Sequence, residues 1–242
     1  MPKQLSIAEF IATKSPVIDV RSPAEFIQGH IPGAHNLPLF TNEERALVGT
    51  LYKQKSRDVA MLEGLRIVGP KMANMVEEAR SLGIDERIAV HCWRGGERSA
   101  SIAWLLEKAG FADVVTLKGG YKAFRNLVLK SFENTYDLRV LSGYTGTGKT
   151  ELLGYLKDLG QQIVDLEGLA NHKGSSYGAI GEDPQPSTEH FENLLWSAMQ
   201  HIDPNRPIWL EDESQLIGRV KIPHPFFAQI RPALGYLADI PR

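Results

Sequence analysis

Cysteine is nearly absent from this chain, with one residue, Cys92, in 242. A single cysteine excludes an intrachain disulfide and any zinc site built on several thiolates. Long apolar runs are missing too. No stretch of about 18 apolar residues occurs, so no membrane span is expected. The opening MPKQLSIAEFIATKSP lacks the apolar centre and cleavage site of a secretory signal. Internal repeats and low-complexity tracts are also absent. Net charge is only −2, though it is uneven: residues 1–130 carry 18 Lys/Arg against 14 Asp/Glu, and residues 131–242 carry 9 against 15. That balance does not advertise a nucleic-acid partner, although a local basic groove would suffice for one. The expectation is a cytoplasmic protein with no membrane attachment. With 43% hydrophobic residues it has ample material for a core.

Short apolar strand patterns alternate with helical ones, which argues for α/β architecture with parallel sheets in two successive units, 1–133 and 134–242. In the first, PVIDV and RIAVHC read as strands, and Ser22-Pro23 reads as a helix start. Residues 41–82 read as helical pieces broken near Gly49, Gly64 and Gly69-Pro70. In the second, LRVLSG, QQIVDLEG, PIWLEDES and LGYLADI read as strands. A helix is expected to bury Leu152, Leu153, Leu156 and Leu159. The second unit is short for its type, and an incomplete C-terminal part is expected.

The lone cysteine lies in HCWRGGERSAS, residues 91–101, between an apolar strand and a helix. A turn there collects backbone N–H groups at a helix N-terminus, a setting that binds anions and favours a thiolate. Arg94 and Arg98 add positive charge, and Arg98 follows Cys92 at the spacing Cys-x5-Arg. Cys92, Arg94 and Arg98 are therefore the candidate catalytic residues. IDVRSPAEFIQGHIPGAHNLPL, together with the position of Cys92, resembles the rhodanese family over roughly residues 4–130. The resemblance implies a cysteine that carries sulfur or a related element, and it gives Asp19 and Arg21 structural duties. His30 and His35 read as hydrogen-bonded loop residues. The loop CWRGGER is longer than that of small sulfurtransferases and is similar to that of rhodanese-fold phosphatases. Sulfur or selenium transfer and phosphate-ester hydrolysis both stay open. For the hydrolysis reading, Glu97 is the only nearby general acid.

GYTGTGKT, residues 143–150, has the G-x-x-x-x-G-K-[ST] pattern after a strand and before a helix. Gly143, Gly146, Thr147, Gly148, Lys149 and Thr150 are expected to bind a diphosphate, with Thr150 as the ligand if Mg2+ takes part. Glu211 and Asp212, and beyond them Asp165, are the strand-end acids suited to a metal or a water. An apolar ester would need a wall, for which Tyr144, Tyr177, Phe191 and Trp196 are candidates. His172, Lys173, Ser175 and Ser176 form a candidate substrate loop.

NEERALVGTLYKQ (42–54), HCWRGGERSAS, GYTGTGKT, DLEGLANHKGSSYGAIGEDPQPSTEHFEN (165–193) and LEDESQLIG (210–218) together resemble the tRNA 2-selenouridine synthase family. The likeness runs from residue 4 to the last residue. It implies a transferase that replaces sulfur by selenium in wobble-position 2-thiouridine of tRNA. The implied selenium donor is selenophosphate, which a supply enzyme would deliver. The implied route is S-geranylation with geranyl diphosphate at the P-loop. tRNA contacts would then fall on Trp93, Arg94, Tyr121, Lys122 and Arg125. The alternatives are a rhodanese-type sulfurtransferase or Cys-dependent phosphatase with a nucleotide-binding domain, or a shortened chain that only binds.

Overall fold

The first half is built around strands that are apolar on both faces. The computed structural model describes residues 2–82, 87–144, 147–175 and 177–238. Contacts divide the chain into two units, Met1–Leu127 and Val128–Arg242. The first begins with β1 (Lys3–Leu5), α1 (Ile7–Ala12), β2 (Val17–Asp19), α2 (Pro23–Gln28), β3 (His35–Asn36), α3 (Asn42–Gln54) and α4 (Arg57–Val68). A 3-10 turn (Gly69–Lys71) leads to α5 (Met72–Ser81), β4 (Arg87–His91), α6 (Glu97–Lys108), β5 (Asp113–Leu117) and α7 (Gly120–Ser131). The sheet order is β1-β5-β4-β2-β3, and every pair is parallel. After Arg87 every residue of β4 is buried, as the centre of a parallel sheet covered on both faces requires. Ile18, Ile88, Val90, Ile102 and Leu106 form the core with Cys92. Burying each large aliphatic side chain contributes about 1.5–3 kcal/mol.

The expected break at Gly69-Pro70 is present, as the 3-10 turn between α4 and α5, but the other two glycines do not break the helices. Gly49 and Gly64 sit inside α3 and α4, and the chain breaks at Lys55–Ser56. Ser56 caps α4 by accepting the Val59 N–H at 3.2 Å. A Cβ on Gly64 would stand 3.5 Å from the Phe40 ring, an ordinary van der Waals contact, so glycine is tolerated inside this helix at its usual cost of about 1 kcal/mol.

The second unit holds β6 (Leu138–Ser142), α8 (Lys149–Asp158), β7 (Gln162–Ile163), α9 (Leu166–Ala170), α10 (Thr188–Met199) and β8 (Ile208–Glu211). β9 (Leu216–Ile217), β10 (Val220–Lys221), α11 (His224–Ile230) and β11 (Leu234–Leu237) complete it. Its sheet is β11-β6-β8-β7, again all parallel, and β9 and β10 form an antiparallel hairpin. The strand before the P-loop, β6, therefore has a neighbour on each side. Phe191, Leu195, Trp196 and Met199 of α10 are buried in this unit, which removes Phe191 and Trp196 from the candidate ligand wall. Of the four leucines expected to be buried on α8, Leu153 is buried and Leu156 half-buried, while Leu152 and Leu159 are exposed. Leu159 is the C-cap, one residue past the end of α8, and Leu152 lies about 100° around the helix from Leu153, off the side that Leu153 buries. Among the described residues, no helix is long and apolar enough to cross a membrane.

Candidate functional site

In the first unit the site grows from the end of β4. Cys92 follows the strand, and the loop closes at Gly96, the N-cap of α6. Cys92 Sγ lies 3.3 Å from Ser99 Oγ, and Ser99 Oγ in turn donates to Gly96 O at 3.1 Å. The sulfur therefore sits beside the first turn of α6, where free helix amides favour negative charge. Gly95 has φ +65°, and a Cβ there would collide with the carbonyl oxygen of Leu117. Gly120, φ +59°, would collide with Cys92 O and Gly95 N. The loop and the start of α7 thus interlock backbone to backbone. Tyr121 N–H donates to Cys92 O at 2.8 Å, and Lys122 N–H donates to Trp93 O at 3.0 Å.

Below the loop, Arg21 is buried and forks onto Asp19, with Nη2 2.6 Å from Oδ2 and 2.7 Å from Gly29 O. Its guanidinium also stacks 3.7 Å from the Tyr121 ring centroid. Asp19 and Arg21 are structural, as expected. Tyr121 is buried in this stack, which removes it as a tRNA contact. His91 is buried beside them, and burial holds it below its ordinary value, so it stays neutral. His30 stacks on Phe26 and pairs through Nδ1 with Phe26 O, a local loop duty; His35 is exposed.

Arg98 reaches Glu25 of α2, Nη1 to Oε2 at 2.9 Å. Arg45 of α3 approaches the same carboxylate at 3.4 Å. Burial works against charge on Glu25, but Arg98, the Ser22 N–H and Arg45 outweigh it and hold the carboxyl below its ordinary range. Glu97, the acid of the hydrolysis reading, pairs with Arg57 at 2.7 Å in a solvent-exposed contact of small energetic weight. Arg94 is exposed at the loop's rim. Sequence reasoning missed Glu25 and Arg45. A faint signal existed for Glu25, three residues after Ser22, but none for Arg45.

In the second unit the P-loop joins β6 to α8. Gly148 caps α8 at φ +69°, where a side chain would be strained. Lys149 Nζ donates to Gly143 O at 3.0 Å and Tyr144 O at 3.3 Å, and Thr147 Oγ1 donates to Tyr144 O at 2.7 Å. The lysine thus curls over the loop's own carbonyls. Gly146 and Ser176 lie outside the described residues. Thr150 is exposed in the first turn of α8, and Tyr144 and Tyr177 are exposed.

The strand-end acids separate by role. Asp212 is exposed and accepts Ser142 Oγ at 2.7 Å. Asp165 caps α9, accepting the Gly168 N–H at 2.6 Å. Glu211 is fully buried. Burial, then the charge of Asp165, pushes it up to about 7, and its Oε1 has no hydrogen-bond partner among the described residues. Glu213, missed in the sequence, is also pushed up, by burial and by the Glu167 carboxyl it pairs with. No group of three or more metal-ligating side chains is gathered among the described residues. Mg2+ commonly keeps waters and takes one or two carboxylates plus substrate phosphates, so Thr150 with exposed Asp212 is a compatible set.

The candidate substrate loop is ordered by its own chain. His172 is largely buried between Gly178 and Gly218, where a Cβ on either glycine would press on its ring. Gln185 Nε2 donates to Ala170 O and Ile217 O, both at 3.0 Å, and its Oε1 accepts the Arg219 N–H at 2.9 Å. Lys173 pairs with Glu182 at 2.8 Å, and Ser175 Oγ accepts the Tyr177 N–H at 3.3 Å.

Comparison with known proteins identifies both units. A family model described as a rhodanese-like domain matches residues 6–127. One described as the tRNA 2-selenouridine synthase AAA domain matches residues 136–237. The tRNA 2-selenouridine synthase of Shewanella denitrificans is 41% identical, covering 90% of this chain and 60% of the relative. That of Marinobacter nauticus is 43% identical, over 89% of this chain and 59% of the relative. That of Hydrogenovibrio crunogenus is 37% identical, over 100% of this chain and 68% of the relative. The chain spans about 60% of the length of the first of these relatives. The architecture is thus a rhodanese-like α/β unit followed by a P-loop α/β unit.

Proposed function

Because this chain belongs to the tRNA 2-selenouridine synthase family, we propose that it replaces sulfur by selenium in wobble-position 2-thiouridine of tRNA. Selenophosphate is the donor, and an S-geranyl nucleoside made from geranyl diphosphate is the intermediate. The supply enzyme for selenophosphate is then a partner, and the setting is cytoplasmic. The observation that carries the reading is the coexistence of a Cys-x5-Arg loop and a P-loop in one chain. Each fits one half of the chemistry.

A thiocarbonyl sulfur is a poor leaving group, whereas an alkylated sulfur departs as a thiol. In the first step the sulfur attacks C1 of the geranyl group, and the C–O bond to diphosphate breaks. Lys149 exchanges the carbonyls of Gly143 and Tyr144 for phosphate oxygens. With the amides that open α8 it stabilises the departing charge. Thr150 and Asp212 would hold Mg2+, which supplies further charge neutralisation when bound. In the second step the Cys92 loop receives selenophosphate, with its amides, Arg94 and Arg98 on the phosphate oxygens and the Cys92 sulfur beside selenium. Selenium attacks C2 and the C–S bond breaks, releasing geranyl thiol; water then takes the phosphoryl group from selenium, breaking the P–Se bond and leaving 2-selenouridine and phosphate.

Nucleoside mass spectrometry tests it. Protein is incubated with 2-thiouridine tRNA, geranyl diphosphate and Mg2+, then with selenophosphate. The expected products are S-geranyl-2-thiouridine, then 2-selenouridine. Cys92→Ser should keep the first and lose the second, and Lys149→Ala should lose the first. The reverse pattern refutes this division of labour, and unmodified tRNA throughout refutes the activity for this chain.

A further inference from the structure

Arg98 closes the Cys92 loop, yet its side chain is held by a residue 73 positions earlier. Glu25 Oε2 accepts Arg98 Nη1 at 2.9 Å, the Ser22 N–H at 3.2 Å and Arg45 Nε at 3.4 Å. One carboxylate therefore ties together the entry of α2, the helix α3 and the first turn of α6, just after the loop. Arg98 and Glu25 are both largely shielded, with side chains 23% and 17% exposed. A guanidinium has five N–H donors in a rigid fork, and the bond to Glu25 engages it through Nη1. An arginine held in this way loses little further side-chain freedom when an anion arrives. The charges acting on Glu25 are those of Arg98 and Arg45.

We propose that Glu25 is a positioning residue for the oxyanion site at Cys92, holding Arg98 in place to receive a tetrahedral dianion of the phosphate type. The proposal rests on the reading of the Cys92 loop as a phosphate-type donor site. It runs against simple electrostatics. Removing a negative charge beside Arg98 would by Coulomb attraction alone tighten anion binding. Loss of positioning weakens it.

The single cysteine gives a clean probe, because [3-13C]cysteine labelling yields one Cβ resonance, reporting on this loop whatever binds at the P-loop. Inorganic phosphate is titrated into the full chain. In the wild type the resonance should shift saturably. Glu25→Gln, which keeps the reach back to the Ser22 N–H, should raise the apparent Kd about fivefold or more. An unchanged or lower Kd overturns the proposal while leaving the donor-site reading intact. A wild-type resonance that phosphate does not move overturns that reading and the proposal with it. Arg98→Lys completes a cycle. If Glu25 acts through Arg98, adding Glu25→Gln to Arg98→Lys should cost little more, and fully additive losses overturn the proposal. The thermal midpoint of each variant separates loss of binding from loss of fold.

Discussion

Glu211 makes the pH dependence of the P-loop unit calculable. Its carboxyl is fully buried at the end of β8, with one oxygen near the Leu166 N–H at 3.4 Å and the other unpartnered among the described residues. Burial and the charge of Asp165 push it up to about 7 from an ordinary 4.5. Between those values the folded chain binds a proton that the unfolded chain has released, so stability falls as pH rises. A gap of about 2.5 units at 1.36 kcal/mol each gives about 3 kcal/mol, present in full below pH 4.5 and lost above pH 7. Glu211→Gln retains the acceptor for Leu166 and never ionises. It should match the wild type near pH 5 and exceed it by about 2–3 kcal/mol at pH 8. The measurement is urea unfolding followed by hydrogen exchange of the β6 and β8 amides, in buffer free of phosphate and divalent cations, since ligand binding would add stability of its own. Some slope should persist from Glu213, which is raised by similar causes. If Glu211→Gln is no more stable than wild type at pH 8, the buried-charge account is wrong.

Two further substitutions probe the scaffolds of the sites. Gly95→Ala adds a Cβ against Leu117 O at a positive φ, so it should destabilise the first unit by about 2 kcal/mol or more; a melting midpoint equal to wild type would show that the loop has room to move. Gln185→Ala removes hydrogen bonds to Ala170, Ile217 and Arg219 and should cost about 1–3 kcal/mol, with faster limited proteolysis between residues 171 and 187. Unchanged cleavage there would refute Gln185 as the clamp of that segment.

Some of this was legible in sequence, for identifiable reasons. β4 is readable because a strand buried on both faces must be apolar throughout. The two loops are readable because anion binding needs glycine, cation and helix start at fixed spacing. Gly49 and Gly64 misled because one glycine inside a helical pattern costs only about 1 kcal/mol and does not by itself end the helix. The leucines of α8 misled because repeated apolar residues do not say how wide the covered stripe is. Glu25 as the partner of Arg98, and Arg45 as a second partner of Glu25, were invisible because nothing local encodes a contact across 73 or 20 residues. Glu213 was overlooked because a raised carboxyl is a property of surroundings, here Glu167 and the strand end, rather than of residue type.

The interlocking of Gly95 with Gly120 makes the Cys92 loop and the opening of α7 a single structural part. An inserted or deleted residue between Cys92 and Arg98 would slide Cys92 O and Trp93 O away from the amides of Tyr121 and Lys122. Substitutions that keep this backbone path are therefore those of side chains such as the ones at positions 93, 94 and 97. For the same reason, grafting the loop onto another parallel-sheet scaffold means moving two segments, 92–98 and 117–122, together.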